Sequence, residues 1–143
     1  MKPWKTTLAG VAGAAMVFAP SASADFPGLA PFIGTWQKHA ERLVIDNNGI
    51  GVDTYPDLTE CTSCTDADAP TGTITFALTS AVDGIASGSV TASSDPAKHA
   101  VGEPVNAVLE DGSPGHLLQL TFSGTPYLPF CDAAAEATGQ CGA

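Results

Sequence analysis

The C-x-x-C motif at residues 61–64 is the pattern in this sequence that most directly suggests chemistry. Such a pair can exchange disulfides when its first thiol is activated at a helix N-terminus. Here Pro70 and Gly72 follow the motif and break any helix, and the carboxylates of Asp66 and Asp68 would raise the pKa of a nearby thiol. We therefore interpret the motif as a structural staple of a loop.

The chain has four cysteines in all, Cys61, Cys64, Cys131 and Cys141. An even number behind an export signal predicts disulfides, and four cysteines allow three connectivities. We favour the local pairs Cys61–Cys64 and Cys131–Cys141, because each lies in a polar, turn-rich segment and could close without the rest of the fold. The crossed pairings stay open, since a bridge inside C-x-x-C is often strained. A zinc site would need a second closely spaced pair, which Cys131 and Cys141 do not form.

No other motif predicts a catalytic or metal site. The histidines His39, His99 and His116 fall on separate elements without metal-binding spacing, so we expect surface or edge positions for them. Ser87 and Ser113 lack the G-x-S-x-G context of an activated nucleophile. The sequence therefore predicts no catalytic residue, no metal ligand, no cofactor and no enzyme activity.

The N-terminal segment, residues 1–24, has the organisation of a secretory signal peptide. Lys2 and Lys5 precede an apolar run over residues 6–19, and small residues over 22–24 predict cleavage before Asp25. The apolar run is short for a membrane span. We predict a secreted or cell-envelope protein whose mature chain, residues 25–143, is a single β domain without a membrane span.

The mature chain is strongly acidic. Loss of the two leader lysines lowers the formal net charge from −10 to −12. Such a charge repels nucleic acid and anionic lipid, which excludes nucleic acid as an expected partner.

Short alternating segments that would position any site run through the rest of the chain. Turn signals such as Asn47-Asn48-Gly49 and Asp83-Gly84 separate them. The predicted strands are residues 32–38, 41–46, 50–55, 73–79, 85–92, 105–110, 116–122 and 127–130. This pattern predicts an all-β antiparallel meander of about eight strands, either a small barrel or a curled sandwich.

The remaining segments are a long loop and a short tail. Residues 56–72 are the longest stretch without periodicity, and their cysteines could tie the loop down. Within the tail, Asp132 suits a helix N-cap and Gly139 a helix stop, which predicts one helical turn bounded by Cys131 and Cys141. The predicted core residues are Phe32, Trp36, Leu43, Ile45, Phe76, Leu78, Leu118, Leu120 and Phe122.

Two resemblances follow from these motifs. Gly34-x-Trp36 at the start of the meander resembles the G-x-W motif of lipocalins and avidins. That resemblance implies an eight-stranded barrel with Trp36 plugging one end; it does not imply biotin, because avidin-type sites use several tryptophans. The order G-T-W-x-x-H, C-x-x-C, T-A-S-S-D, G-S-P-G and Q-C-G resembles small exported proteins of mycobacteria and related actinobacteria. This second resemblance implies export and disulfides, and supplies no catalytic residue.

The functional hypothesis is therefore non-catalytic binding of a small apolar ligand or a partner protein outside the cytoplasm. The mouth of a β-barrel is a common ligand site. The alternative is a cell-envelope interaction protein with a filled core, and a thiol–disulfide oxidoreductase at the C-x-x-C motif comes third.

Overall fold

The computed structural model describes residues 26–59, 61, 63–127 and 129–142. The predicted signal peptide, residues 1–24, lies outside the described residues.

In the described part of the chain, nine β-strands and one short helix follow a single-turn 3-10 helix at Ala30–Phe32. The elements are β1 Gly34–Lys38, β2 Glu41–Ile45, β3 Ile50–Pro56, β4 Thr71–Val82, β5 Ile85–Ser93, β6 Pro104–Asp111, β7 His116–Phe122, β8 Thr125–Pro126, β9 Phe130–Cys131 and α1 Ala133–Glu136. Strands β1 to β7 pair consecutively and antiparallel, and β9 lies between β7 and β1. The result is a closed antiparallel barrel of eight strands, which confirms the predicted all-β fold.

The tight turns form where the sequence predicts them. Asp83 and Gly84 take φ values of 51° and 76° at the β4–β5 turn, and Gly49 takes 79° at the β2–β3 turn. Positive φ favours glycine, and aspartate tolerates it better than most residues. These turns keep the chain in meander order.

Most predicted strands differ from the structure by one to three residues at an end, and proline explains two of the differences. Phe32 belongs to the 3-10 turn rather than to β1, because Pro31 lies in that turn and cannot donate a ladder hydrogen bond. Of the predicted strand 127–130, Phe130 is in β9, whereas β8 ends at Pro126, before the predicted start; Pro126 and Pro129 have no N–H to donate to a ladder.

Alternate residues of each strand point into the barrel and form its core. Every residue of the predicted core is buried, and Trp36 is 4% exposed. The Trp36 indole Nε1 donates a hydrogen bond to the Phe32 carbonyl at 2.9 Å, which satisfies its buried polar atom.

Glycines on the inner face leave room for neighbouring rings. A Cβ atom at Gly51 would lie 2.2 Å from the Phe76 ring, and one at Gly72 would lie 2.4 Å from the Tyr55 ring. Both pairs are cross-strand neighbours. Aromatic rings therefore occupy the interior next to β3.

The C-terminal segment forms the predicted disulfide-bounded turn. Asp132 caps α1 by accepting a hydrogen bond from the Ala135 N–H at 3.0 Å. Burial would raise the pKa of Asp132, but hydrogen bonds from the Ala135 and His116 N–H groups hold it below its usual value. Cys131 and Cys141 are bridged, with Cα atoms 5.8 Å apart, and this attaches the tail to the barrel wall.

Candidate ligand-binding site

The two ends of the barrel differ in what covers them. The first end receives the short turns β2–β3 and β4–β5 and the 3-10 helix. At the other end, where β1, β3, β5 and β7 finish, the longer connections 57–70, 94–103 and 123–129 meet. We call this second end the loop end. Side chains that face inward here border two cavities.

An ion pair lies inside the barrel at the loop end. Lys38 and Glu41 are cross-strand neighbours in the β1–β2 hairpin, and Lys38 Nζ lies 2.7 Å from Glu41 Oε2. Both side chains are only 12% exposed. The ammonium also lies 4.2 Å from the ring centre of Tyr127 and 4.8 Å from that of Phe130. Two aromatic faces and a carboxylate therefore fix the position of this charge.

A second carboxyl group, Asp53, lies behind this pair. Asp53 is completely buried, on the inward face of β3 between its register partners Leu43 and Ile74. Burial raises the pKa of Asp53 to about 9, the neighbouring Glu41 carboxylate adds to the rise, and Lys38 opposes it. At neutral pH Asp53 therefore carries a proton.

Several polar atoms of this cluster lack other partners. Neither Asp53 oxygen has a hydrogen-bonding partner among the described residues, and the same holds for Glu41 Oε1 and the Tyr55 hydroxyl. Burial, followed by the negative charge of Glu41, also raises the pKa of Tyr127. Unpartnered buried polar atoms cost free energy, and of these residues Glu41 lines a cavity, so its Oε1 is the acceptor that a ligand could reach.

The larger of the two cavities opens directly above Lys38 and Glu41. It has a volume of about 470 Å³, and we call it the Lys38 cavity. Its lining residues are Lys38, His39, Ala40, Glu41, Pro56, Asp66, Pro129, Gln140 and Cys141. The walls are mostly apolar and the ion pair forms the base, so the cavity suits a molecule with an apolar body and a polar head.

The 57–70 loop forms one wall of this cavity. The Asp57 N–H donates to the Pro70 carbonyl at 2.7 Å and closes the base of the loop. Cys61 and Cys64 are bridged within it, with Cα atoms 5.5 Å apart. Asp66 Oδ2 lies 2.9 Å from His39 Nε2 on the β1–β2 hairpin. The loop is thus held across the cavity edge, as expected of a structural staple.

The smaller cavity, of about 250 Å³, contains the histidine that the sequence interpretation misplaced. His99 is 6% exposed rather than at the surface or an edge. Its ring centre lies 4.7 Å from that of Phe122, and Nδ1 lies 3.1 Å from Glu103 Oε2. The i, i+4 spacing of His99 and Glu103 was the only sequence signal for this contact. We call this space the His99 cavity.

The structure distributes the predicted site residues as follows. Trp36, Phe32 and Phe76 lie in the core, and the four cysteines form the two local pairs. Of all these residues, only Cys141 lines the Lys38 cavity.

The sequence interpretation missed the ion pair at the cavity base, Lys38 and Glu41, and Asp53 behind it. The available signal was position: each occupies an inward point of its strand, where charged residues are rare. Among the described residues no group of three potential metal ligands occurs, and no helix has the length and hydrophobicity needed to cross a membrane.

Comparison with known proteins identifies no relative of this chain. No protein-family model, no curated protein and no solved structure matches this chain. The barrel that the G-x-W motif implied is present, whereas the resemblances to lipocalins, avidins and exported actinobacterial proteins find no support in these comparisons.

Proposed function

We propose that this protein is a non-catalytic binding protein that takes a small, largely apolar molecule with one hydroxyl group into the Lys38 cavity. The observation that carries this proposal is a buried ion pair with an unpartnered acceptor, Glu41 Oε1, at the base of a cavity of about 470 Å³. That volume lies within the range of about 300–1,000 Å³ typical of small-molecule sites.

The charge of the cavity base selects the head group. Lys38 and Glu41 together are neutral, and the proton on Asp53 keeps the cluster neutral. A ligand cation would face the Lys38 ammonium, and a ligand anion would face the two carboxyl groups. A hydroxyl group can donate to Glu41 Oε1 and accept from Lys38 Nζ without adding charge.

The walls favour an apolar body. Ala40, Pro56 and Pro129 supply carbon surface around the charged base. Burial of apolar ligand surface contributes roughly 25 cal/mol per Å², so a chain of several methylene groups adds to binding. Phe76 and Trp36 are buried deeper in the barrel, so we place the ligand at the loop end rather than in the core.

The site of action is proposed to be outside the cytoplasm. Two disulfides fit an oxidising, extracytoplasmic compartment. The predicted signal peptide supports a secreted or cell-envelope location.

A titration with three matched amphiphiles tests the proposal. 1-Hexanol, hexanoate and hexylammonium share one apolar chain and differ in the charge of the head group. Amide chemical shifts of the ¹⁵N-labelled mature chain should move around residues 38–41 with hexanol and much less with the charged pair. Equal responses to all three would contradict the head-group argument, and no response would contradict the ligand class.

A partner protein is the second candidate, with the barrel acting as a cell-envelope interaction protein. Val82 and Ile85 are register neighbours at the β4–β5 hairpin, and they are 68% and 47% exposed. Exposed apolar side chains at a hairpin tip favour a protein contact. Val82→Ser with Ile85→Ser would abolish such a contact without changing hexanol binding, which separates the two candidates.

A further inference from the structure

The His99 imidazole is held in one orientation by a carboxylate. Glu103 Oε2 lies 3.1 Å from His99 Nδ1, and Glu103 Oε1 accepts a hydrogen bond from Ser123 Oγ at 2.8 Å. An ionised carboxylate only accepts hydrogen bonds, so Nδ1 carries the ring hydrogen. In the neutral form of the ring, this tautomer presents a lone pair at Nε2.

This Nε2 atom is buried and has no hydrogen-bonding partner among the described residues. The side chain is 8% exposed and lines a cavity of about 250 Å³. An unpartnered buried acceptor loses its hydration without compensation. A ligand that donates one hydrogen bond to Nε2 would restore that interaction.

The walls of the His99 cavity are aromatic. Phe122 and Tyr127 lie edge to face with ring centres 5.4 Å apart, and the His99 ring is tilted against Phe122. Flat aromatic molecules pack well against such rings. The volume lies below the range of about 300–1,000 Å³ found for drug-sized ligands, so a single ring is the size that fits.

We propose that the His99 cavity is a second, independent site, which binds a small phenol whose hydroxyl group donates to His99 Nε2. Lys98, Thr125 and Ser123 lie at the same cavity and present polar groups around the ring. A metal ion is a poorer match, because no third ligand accompanies His99 and Glu103 in the described part of the chain. The two cavities share no lining residue, and Tyr127 of the His99 cavity also contacts Lys38 of the other.

The experiment compares phenol with toluene, which has similar shape and no hydrogen-bond donor. Long-range ¹H–¹⁵N spectra of the mature chain should show His99 protonated at Nδ1 and unprotonated at Nε2 before addition. Phenol should shift the Nε2 resonance and the Phe122 ring signals. Toluene should bind about tenfold more weakly, as expected from the loss of one buried hydrogen bond.

Variants extend the test and keep it separate from the first site. His99→Leu should lose phenol binding, whereas the exposed His116→Gln should keep it. Ala40→Leu, in the wall of the Lys38 cavity, should leave phenol binding unchanged, so failure at one cavity is distinguishable from failure at the other. If His99→Leu fails to fold, the comparison of phenol with toluene on the unaltered chain still decides. Equal affinity for both molecules, a hydrogen on Nε2 before phenol is added, or no phenol binding would overturn the proposal.

Discussion

Lys38 Nζ and Glu41 Oε2 lie 2.7 Å apart inside the barrel, and the two residues of a tight turn separate them in sequence. The hairpin register places both side chains on the inner face, where water reaches little of either. At the surface such an ion pair would add little to the stability of the fold. Here it is largely removed from water, at the base of a cavity. Its energetics should differ from those of a surface pair.

Removing one partner of this pair should be costly. Lys38→Met leaves the Glu41 carboxylate buried without its cation, and we expect a loss of about 3 kcal/mol or more in the free energy of unfolding. The double variant Lys38→Met with Glu41→Gln should recover much of that loss. Urea unfolding of the mature chain, followed by Trp36 fluorescence, measures both.

Arg42→Met is the matched control, because it removes an exposed cation from the same hairpin and should change stability by less than about 0.5 kcal/mol. A Lys38→Met variant as stable as Arg42→Met would show that the ion pair behaves as a surface pair.

Asp53 should make the fold less stable as the pH rises. Its pKa is raised from 3.8 to about 9 in the folded chain, so the folded state binds a proton that the unfolded state releases. The stabilisation is complete below about pH 4 and is lost as pH rises toward 9. The slope is at most about 1.4 kcal/mol per pH unit.

Asp53→Asn replaces the protonated carboxyl with a neutral group of similar shape and should flatten this slope. Unfolding free energies from pH 5 to 8 provide the measurement, and exposed Glu110→Gln serves as the control. A slope that is the same in the unaltered chain and in Asp53→Asn would refute a proton on Asp53.

Trp36 should be a major core contact. Trp36→Ala removes a nearly fully buried ring and its hydrogen bond to Phe32, and should cost roughly 3–5 kcal/mol. The mature chain has no other tryptophan, so its emission should be blue-shifted in the native state. Val101→Ala, at a 66% exposed site, is the control for a change outside the core. Solvent-like emission would argue against burial.

The two disulfides should be structural, and they should differ in how much they stabilise the fold. Non-reducing peptide maps should recover Cys61 with Cys64 and Cys131 with Cys141. Replacing Cys131 and Cys141 by serine should cost about 2–3 kcal/mol and loosen the tail. Replacing Cys61 and Cys64 should loosen residues 57–70 while the strands stay folded.

The same preparation tests the oxidoreductase alternative. The reduced Cys61–Cys64 segment should not reduce insulin disulfides, because a helix does not follow the motif in the described chain. Measurable insulin reduction would move this protein into the oxidoreductase class.

The fold could be predicted from sequence because its signals are local. Alternation around Trp36, Phe76 and Leu120 identifies the inward faces, and the Asp83-Gly84 turn identifies a hairpin. Closure by β9 could not be predicted in the same way. Two prolines split the last strand, and only the three-dimensional register brings Cys131 beside Gln37.

The candidate site was harder to predict because it depends on contacts between distant strands. Asp53 and Glu41 meet only after β2 and β3 pair, and Tyr127 reaches Lys38 only after the barrel closes. The position of Asp53 between inward-facing Gly51 and Tyr55 was visible in the alternation. The contact of Asp53 with Glu41 was not visible, because it depends on the strand register. A shift of one residue would turn the Asp53 side chain to solvent.

Intermolecular nuclear Overhauser effects with 1-hexanol test binding at the Lys38 cavity most directly. At saturating hexanol, the methylene protons should show contacts to the Ala40 methyl group and the Pro56 ring, and Glu41→Gln should weaken binding. Contacts confined to other surfaces, or no contacts at all, would contradict the assignment of this cavity as the ligand site.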